Sequence, residues 1–147
     1  MNLFNYLMGN SPSIKKVNYE DVQSLQKKTI RGVLINTLSS DFQSCLISGT
    51  VPINQEEKMM NELITKNPEI YVIVYGKNSN DETIYKKYNQ LNDLGFSNVR
   101  LYIGGMFEWL LLQDIYGADD FNTTQDELDI LKYKPQTALS NSLTTIN

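Results

Sequence analysis

The chain has 147 residues, and its 41% of hydrophobic and 20% of charged residues are typical of a single globular domain. Its net charge of −4 excludes a strongly basic nucleic-acid binder, because phosphate recognition needs a basic face. The lack of histidine and the single cysteine, Cys45, exclude a disulfide framework and remove the commonest general base and metal ligand. We therefore expect no metal, no cofactor and no nucleic-acid partner.

The sequence also argues against a membrane partner and a secreted location. No apolar run approaches the ~18 residues of a membrane span. Residues 2–8 lack the basic start of a signal peptide. We expect an intracellular, cytoplasmic protein.

The first half of the chain alternates short helical and extended patterns. These are a helix over 18–25 with Val22 and Leu25 inward, a strand over 33–36, a helical turn over 41–46 and an extended segment over 50–53. Asn54 and Glu57 have the spacing of a capping pair, which predicts that a helix begins there. Pro68 ends this helix, and its apolar side carries Met59, Met60, Leu63 and Ile64.

The middle of the chain has the clearest pattern. The run 70–75 is apolar and rich in β-branched residues, which predicts a buried strand. The polar loop 76–81 joins this strand to a helix that begins at Glu82 and that Gly95 caps. The apolar residues of this helix fall at helical spacing and are Ile84, Tyr88, Leu91 and Leu94.

Further elements follow towards the C-terminus. The pattern predicts a strand over 99–103 and a strongly apolar helix over 106–116, and Leu128 and Leu131 indicate a last helix. Residues 136–147 are rich in Ser, Thr and Asn, which predicts a flexible tail. Strands that alternate with helices of this length predict an α/β fold with a mainly parallel central sheet and helices on both faces.

The segment from residue 72 to residue 109 resembles a rhodanese, or sulfurtransferase, domain. Residues 95–109 are similar to the family pattern G-F-x-N-V-x-x-L-x-G-G-x-x-x-W, which is quite specific. Residues 34–36 resemble the family strand L-I-D-V-R, with Asn36 at the position of the acid and Leu38 at that of the arginine. Residues 46–51 resemble its H-I-P-G-A turn without the histidine and the proline.

The resemblance implies one rhodanese-like domain over residues 1–135, clearest over 70–116, before the tail at 136–147. The helix at 106–116 and the segment 117–124 also look like short rhodanese-like proteins of large DNA viruses and protists. If the chain is viral, the expected location is the host cytoplasm.

The same resemblance places a catalytic cysteine of active family members on Gly76. The two arginines of their loop fall on Lys77 and Asp81. The loop that corresponds to the active site is therefore degenerate, and it consists of Gly76, Lys77, Asn78, Ser79, Asn80 and Asp81. Ser79 and Glu82 have capping-box spacing, so the helix amides are expected to bond to side chains of this chain. The carboxylates of Asp81 and Glu82 would oppose an anionic substrate, and cysteine-based phosphatase chemistry fails for the same reasons.

Three functions remain open, and an inactive rhodanese-like domain that acts as a binding or regulatory module is favoured. The second is a sulfurtransferase or sulfur carrier that uses Cys45 as a relocated nucleophile, although a free cysteine is more often a small buried apolar group. The third is a sensor that binds a small polar ligand in the loop 76–81. Asp119, Asp120 and Asn122 are only weak evidence for a cation site.

The helix predicted over 106–116 is apolar around most of its circumference. Trp109 is expected in the core, and its apolar neighbours are Leu110, Leu111, Leu112 and Ile115. Either the following segment covers the outer side of this helix or a protein partner does, including a second copy of the chain.

Overall fold

The computed structural model describes residues 13–139. The expectation for residues 2–8, and that for the tail beyond residue 139, lie outside the described residues. Residues 136–139 of the predicted tail are described, and they are exposed.

Ten elements alternate along the described chain. They are β1 (Lys16–Val17), α1 (Tyr19–Gln26), β2 (Gly32–Asn36), a 3-10 turn (Ser40–Phe42), α2 (Ile53–Lys66), β3 (Tyr71–Tyr75), α3 (Thr83–Leu94), β4 (Val99–Tyr102), α4 (Gly105–Tyr116) and a second 3-10 turn (Ile130–Tyr133). The two-residue strand β1 was not predicted, because two residues carry no alternating pattern.

The four strands form one parallel sheet in the order β1-β4-β3-β2. Successive side chains of a strand point to opposite faces, so Ile73 and Val74 belong to two different cores. One face is covered by α1 and α4, and the other is covered by α2 and α3. The predicted α/β fold with a parallel sheet and helices on both faces is confirmed.

The two predicted N-terminal capping pairs are wrong, whereas Gly95 caps the C-terminus of α3 as predicted. Helix α2 begins at Ile53, directly after Pro52, and it has no side-chain cap, so Asn54 lies inside the first turn. Proline supplies the φ that a helix start needs without a capping side chain, and Pro52 has φ −59°. Helix α3 begins at Thr83, and Ser79 makes no capping bond to it.

Three leucines on which helix predictions were based are exposed. Leu94 in the last turn of α3 is 58% exposed, and Leu128 and Leu131 are 94% and 64% exposed. The last helix predicted around these two leucines is instead a 3-10 turn, and Tyr133 at its end is the buried residue. The aromatic ring of Tyr133 fills the core in place of the leucine side chains.

Trp109 lies fully buried in the core under α4, as predicted. Its ring makes edge contacts with Tyr102 and Phe121, and its Nε1–H donates to the carbonyl of Asn122 at 3.1 Å. Phe121 and Tyr133 belong to the segment that follows α4, and they cover part of this helix. The large hydrophobic residues of α4 that stay exposed are Leu111, Ile115 and Tyr116.

Candidate functional site

The loop 76–81 connects β3 to α3 at the carboxyl end of the parallel strands. This edge is where open α/β sheets bind ligands, because loops from neighbouring strands meet there. Thr37, which follows β2, also reaches this edge, and its hydroxyl lies 2.7 Å from that of Thr83 at the start of α3.

The Asp81 carboxylate lies inside the loop as an internal acceptor. Its Oδ2 accepts from the Lys77 backbone N–H at 2.8 Å. Its Oδ1 accepts from the Thr83 backbone N–H at 3.0 Å and from the Thr83 hydroxyl at 2.6 Å. The Lys77 amide and the first amide of α3 are therefore both bonded to one carboxylate of the chain itself, so Asp81 performs the capping that was predicted for Ser79.

Gly76 leaves the space that this carboxylate occupies. A Cβ atom on residue 76 would lie 2.9 Å from Thr37 Oγ1 and closer still to Asp81 Oδ2. Gly76 does not have a positive φ, so its backbone would accept another residue. A side chain at residue 76 is therefore disfavoured only by a lack of space, and the Asp81 carboxylate is the group that lies closest in that space.

The Asn78 side chain and two backbone carbonyls of the loop are also bonded within the protein. Asn78 is 6% exposed, and its side chain accepts from the Asn80 N–H at 2.9 Å and donates to the Tyr133 carbonyl at 2.8 Å. The carbonyls of Gly76 and Lys77 accept from the Met106 and Phe107 amides in the first turn of α4, each at 3.0 Å. The loop thus links β3, α3, α4 and the second 3-10 turn.

Gly105, the second residue of the glycine pair that follows β4, is required at the start of α4. It has φ +65°, and a Cβ atom there would lie 2.6 Å from the Gly76 carbonyl oxygen. Only glycine combines the left-handed backbone with this close approach to the loop.

Lys77 is the basic residue of the loop itself. Its ammonium lies 4.6 Å from the centroid of the Phe42 ring, at cation–π distance, and it has no ion-pair partner among residues 13–139. Beside it, the loop and the chain after the second 3-10 turn enclose a depression of about 460 Å³. The lining residues are Lys77, Asn78, Asn80, Asp81, Glu82, Lys134 and Gln136. This is the polar surface that a small-ligand sensor would use.

Cys45 lies outside this loop, in the core between the sheet and α4. It is 3% exposed, and its thiol donates to the Gln125 carbonyl at 3.2 Å. Burial raises the pKa of the Cys45 thiol above its ordinary value. A nucleophilic cysteine needs the opposite shift together with access for its substrate.

Asn36 and Tyr75 hold the segments next to the loop in place. Asn36 is buried, and its side-chain oxygen accepts from the Leu38 N–H at 3.0 Å and from Gln43 Nε2 at 2.7 Å. The Tyr75 hydroxyl accepts from the Ile47 N–H at 3.2 Å and lies 2.7 Å from Thr50 Oγ1. Burial raises the pKa of Tyr75, so this phenol stays protonated and serves as a structural bridge.

The segment predicted as a weak cation site is bonded to other parts of the protein. Asn122 Oδ1 accepts from Gln26 Nε2 at 2.9 Å, and the Asp120 carbonyl accepts from Gln23 Nε2 at 2.8 Å. Within residues 13–139, no group of three acidic or cysteine side chains is arranged to hold a metal ion. No helix in the same range is long and apolar enough to cross a membrane.

Sequence reasoning missed Thr37 and Thr83 at this site. A threonine two residues after an aspartate, at a helix start, is the signal that could have identified Thr83, because Asp side chains bond to backbone two residues on. Thr37 gave no local signal, since only the parallel pairing of β2 with β3 brings it to the loop.

These observations define a parallel α/β domain with a closed loop after its central strand. A family model for the rhodanese-like domain matches residues 20–112, which is more than half of the chain. The chain belongs to the rhodanese-like domain family. No curated protein sequence matches it significantly.

Solved structures share this fold at low sequence identity. The BH2092 protein of Bacillus halodurans is 17% identical, with 95% of each chain covered and a TM-score of 0.55. Ygr203w, a yeast protein tyrosine phosphatase of the rhodanese family, is 15% identical over 82% of this chain and 99% of its own, with a TM-score of 0.55. The thiosulfate sulfurtransferase of Pseudomonas aeruginosa is 20% identical over 74% of this chain and 20% of its own, with a TM-score of 0.52.

Proposed function

We propose that this chain is a rhodanese-like domain without sulfurtransferase activity that acts as a binding or regulatory module. The observation that carries the proposal is the position of the Asp81 carboxylate, which accepts the amides of Lys77 and Thr83 in the loop. Sulfur transfer through this loop would need a thiolate on residue 76 and free donors for an anionic substrate. Residue 76 is a glycine, and an aspartate of the chain occupies those two donors.

Charge in the loop supports the same proposal. Asp81 and Glu82 lie at the N-terminus of α3, where the helix dipole favours negative charge. They already supply that charge, so a thiosulfate or phosphate would meet two carboxylates. Within the loop, Lys77, which lies over the Phe42 ring, supplies one positive charge against them, and Lys134 lines the same depression.

The alternative with Cys45 as nucleophile has no comparable support. A sulfur carrier must present its thiolate to a donor and to an acceptor, whereas Cys45 is buried with a raised thiol pKa. Hydrogen bonds with the Thr123 side chain and the Gln125 backbone lower the pKa of this thiol, but they do not outweigh burial.

An assay of sulfurtransferase activity tests this proposal directly. We expect thiosulfate:cyanide sulfurtransfer by the full chain to equal that of Gly76→Ala, and intact-mass spectra after thiosulfate treatment to show no persulfide. An active cysteine-bearing sulfurtransferase, assayed in parallel, controls for the reagents. Turnover that disappears in Cys45→Ser would reject the proposal and support the alternative nucleophile.

A further inference from the structure

A groove of about 480 Å³ lies between α2 and α3, on the face of the sheet opposite α4. Met60 and Leu91 form its floor, and both are largely covered, at 5% and 4% exposed. Leu94 forms part of its wall and is 58% exposed, although helical periodicity alone would place it inward. The α2–α3 groove therefore has an apolar base with one exposed leucine side chain.

The rim of the α2–α3 groove is acidic. Glu56 and Lys87 form an ion pair across it, with Oε2 and Nζ 2.7 Å apart, and so neutralise each other. Glu57 and Asp93 are exposed on the rim, and neither has an ion-pair partner in the part of the chain that the structure describes. The unbalanced charge of the rim is therefore two carboxylates above an apolar floor.

We propose that the α2–α3 groove docks a basic, amphipathic helical segment of a partner protein. An apolar side chain of that segment contacts Met60, Leu91 and Leu94, and its Lys or Arg side chains lie near Glu57 and Asp93. This inference rests on the proposed binding role, and it names the surface and the chemistry of the partner.

The charges select this occupant over a second copy of the chain. A copy carries a net charge of −4 and the same acidic rim, so groove-to-groove pairing would place like charges together. The lining residues run from Glu56 to Asn61 on α2 and from Lys87 to Leu94 on α3, which is about 9–12 Å along each helix, so the groove can receive about two turns of a docked helix. Amphipathic helices dock in such grooves through a few apolar anchors, and surrounding charges set the orientation and the rate of association.

The test uses the full chain and a labelled peptide of leucine and lysine, about 18 residues long so that it forms an amphipathic helix. A scrambled peptide of the same composition and a leucine–glutamate counterpart are the peptide controls. The groove variant is Glu57→Lys with Asp93→Lys. The matched protein control is Asp114→Lys, an exposed acidic position on α4, on the other face of the sheet.

We expect the leucine–lysine peptide to bind, and to bind about tenfold more weakly to the groove variant, since two attractive charges become repulsive. Asp114→Lys should bind within about twofold of the unchanged protein. Amide chemical shifts of the unchanged chain should move along α2 and α3, which tests the site without any variant. The scrambled and the acidic peptides should not produce these shifts.

Several results would overturn the groove assignment. These are equal weakening by Asp114→Lys, shifts that map to α4, no binding of the peptide at about 1 mM, or a dimer of the chain that Leu94→Asp abolishes. The sulfurtransfer assay distinguishes failure of the groove assignment from failure of the proposed function. Silent catalysis without peptide binding rejects only the groove, whereas turnover rejects the inactive-domain proposal whatever the peptide does.

Discussion

Gly76→Ala should destabilise the protein because it displaces the Asp81 carboxylate. Loss of this capping acceptor from α3 costs ~0.5–2 kcal/mol, and loss of the bond from the Lys77 amide adds ~0.5–1.5 kcal/mol. Alanine also restricts the unfolded chain, which offsets ~0.4–1 kcal/mol of this cost. The backbone at residue 76 adds no penalty, since its φ is not positive. We expect the free energy of unfolding to fall by about 1–2 kcal/mol.

A double-mutant cycle isolates the contact between residues 76 and 81. Asp81→Ala alone should cost about 1–2 kcal/mol, because the same acceptor is removed. Gly76→Ala in that background should change stability by less than about 0.5 kcal/mol, since its new Cβ then meets only the hydroxyl of Thr37. The two substitutions should therefore be coupled by about 1–2 kcal/mol.

Urea unfolding followed by the fluorescence of Trp109 measures these differences, because it is the only tryptophan and is fully buried. Ser79→Ala is the matched control in the same loop, and it should stay within about 0.5 kcal/mol of the unchanged protein. Additive costs in the cycle, or a neutral Gly76→Ala, would refute the argument that the carboxylate fills this space.

Further predictions concern the thiol chemistry and the C-terminal segment. Gly76→Cys should be a poor catalyst with a raised thiol pKa, because Asp81 and Glu82 place negative charge beside the new thiol. Adding Asp81→Arg with Glu82→Ser should lower that pKa in a thiolate absorbance titration. A strongly depressed pKa in the single variant would contradict the role assigned to these two carboxylates. Burial raises the pKa of Cys45, so its contribution to stability is present below its unfolded pKa and is lost as the pH rises through the folded pKa. Raising the pH above about 9 should therefore lower the free energy of unfolding of the unchanged chain more than that of Cys45→Ser, as measured by urea unfolding. Parallel pH profiles of the two proteins would contradict this prediction. Truncation after Lys134 should leave Tm within about 2 °C, whereas truncation at Gly117 should uncover α4 and cause aggregation, and a stable monomer at Gly117 would show that the segment is dispensable.

Periodicity and turn chemistry determined the architecture before any tertiary information. The apolar run ending at Tyr75 and the glycine pair before α4 could be placed from sequence, because each follows from a local rule on strands or turns. The parallel sheet followed from the alternation of strands and helices, and the inward position of Trp109 followed from the resemblance to the rhodanese family. Boundaries were less well determined, as Pro52 shows, since several residues near a helix start can satisfy its amides.

Tertiary structure decided what fills the loop and what the helices leave exposed. Ser79 and Asp81 both have side chains that can cap a helix, and the choice between them depends on the space above Gly76 and on the hydroxyl of Thr37, which is 46 residues distant from Thr83 in sequence. Leu94 fits the apolar periodicity of α3, yet its burial depends on how closely α2 packs beside it. These outcomes depend on contacts between distant segments, and the spacing of residues within one segment carries no information about them.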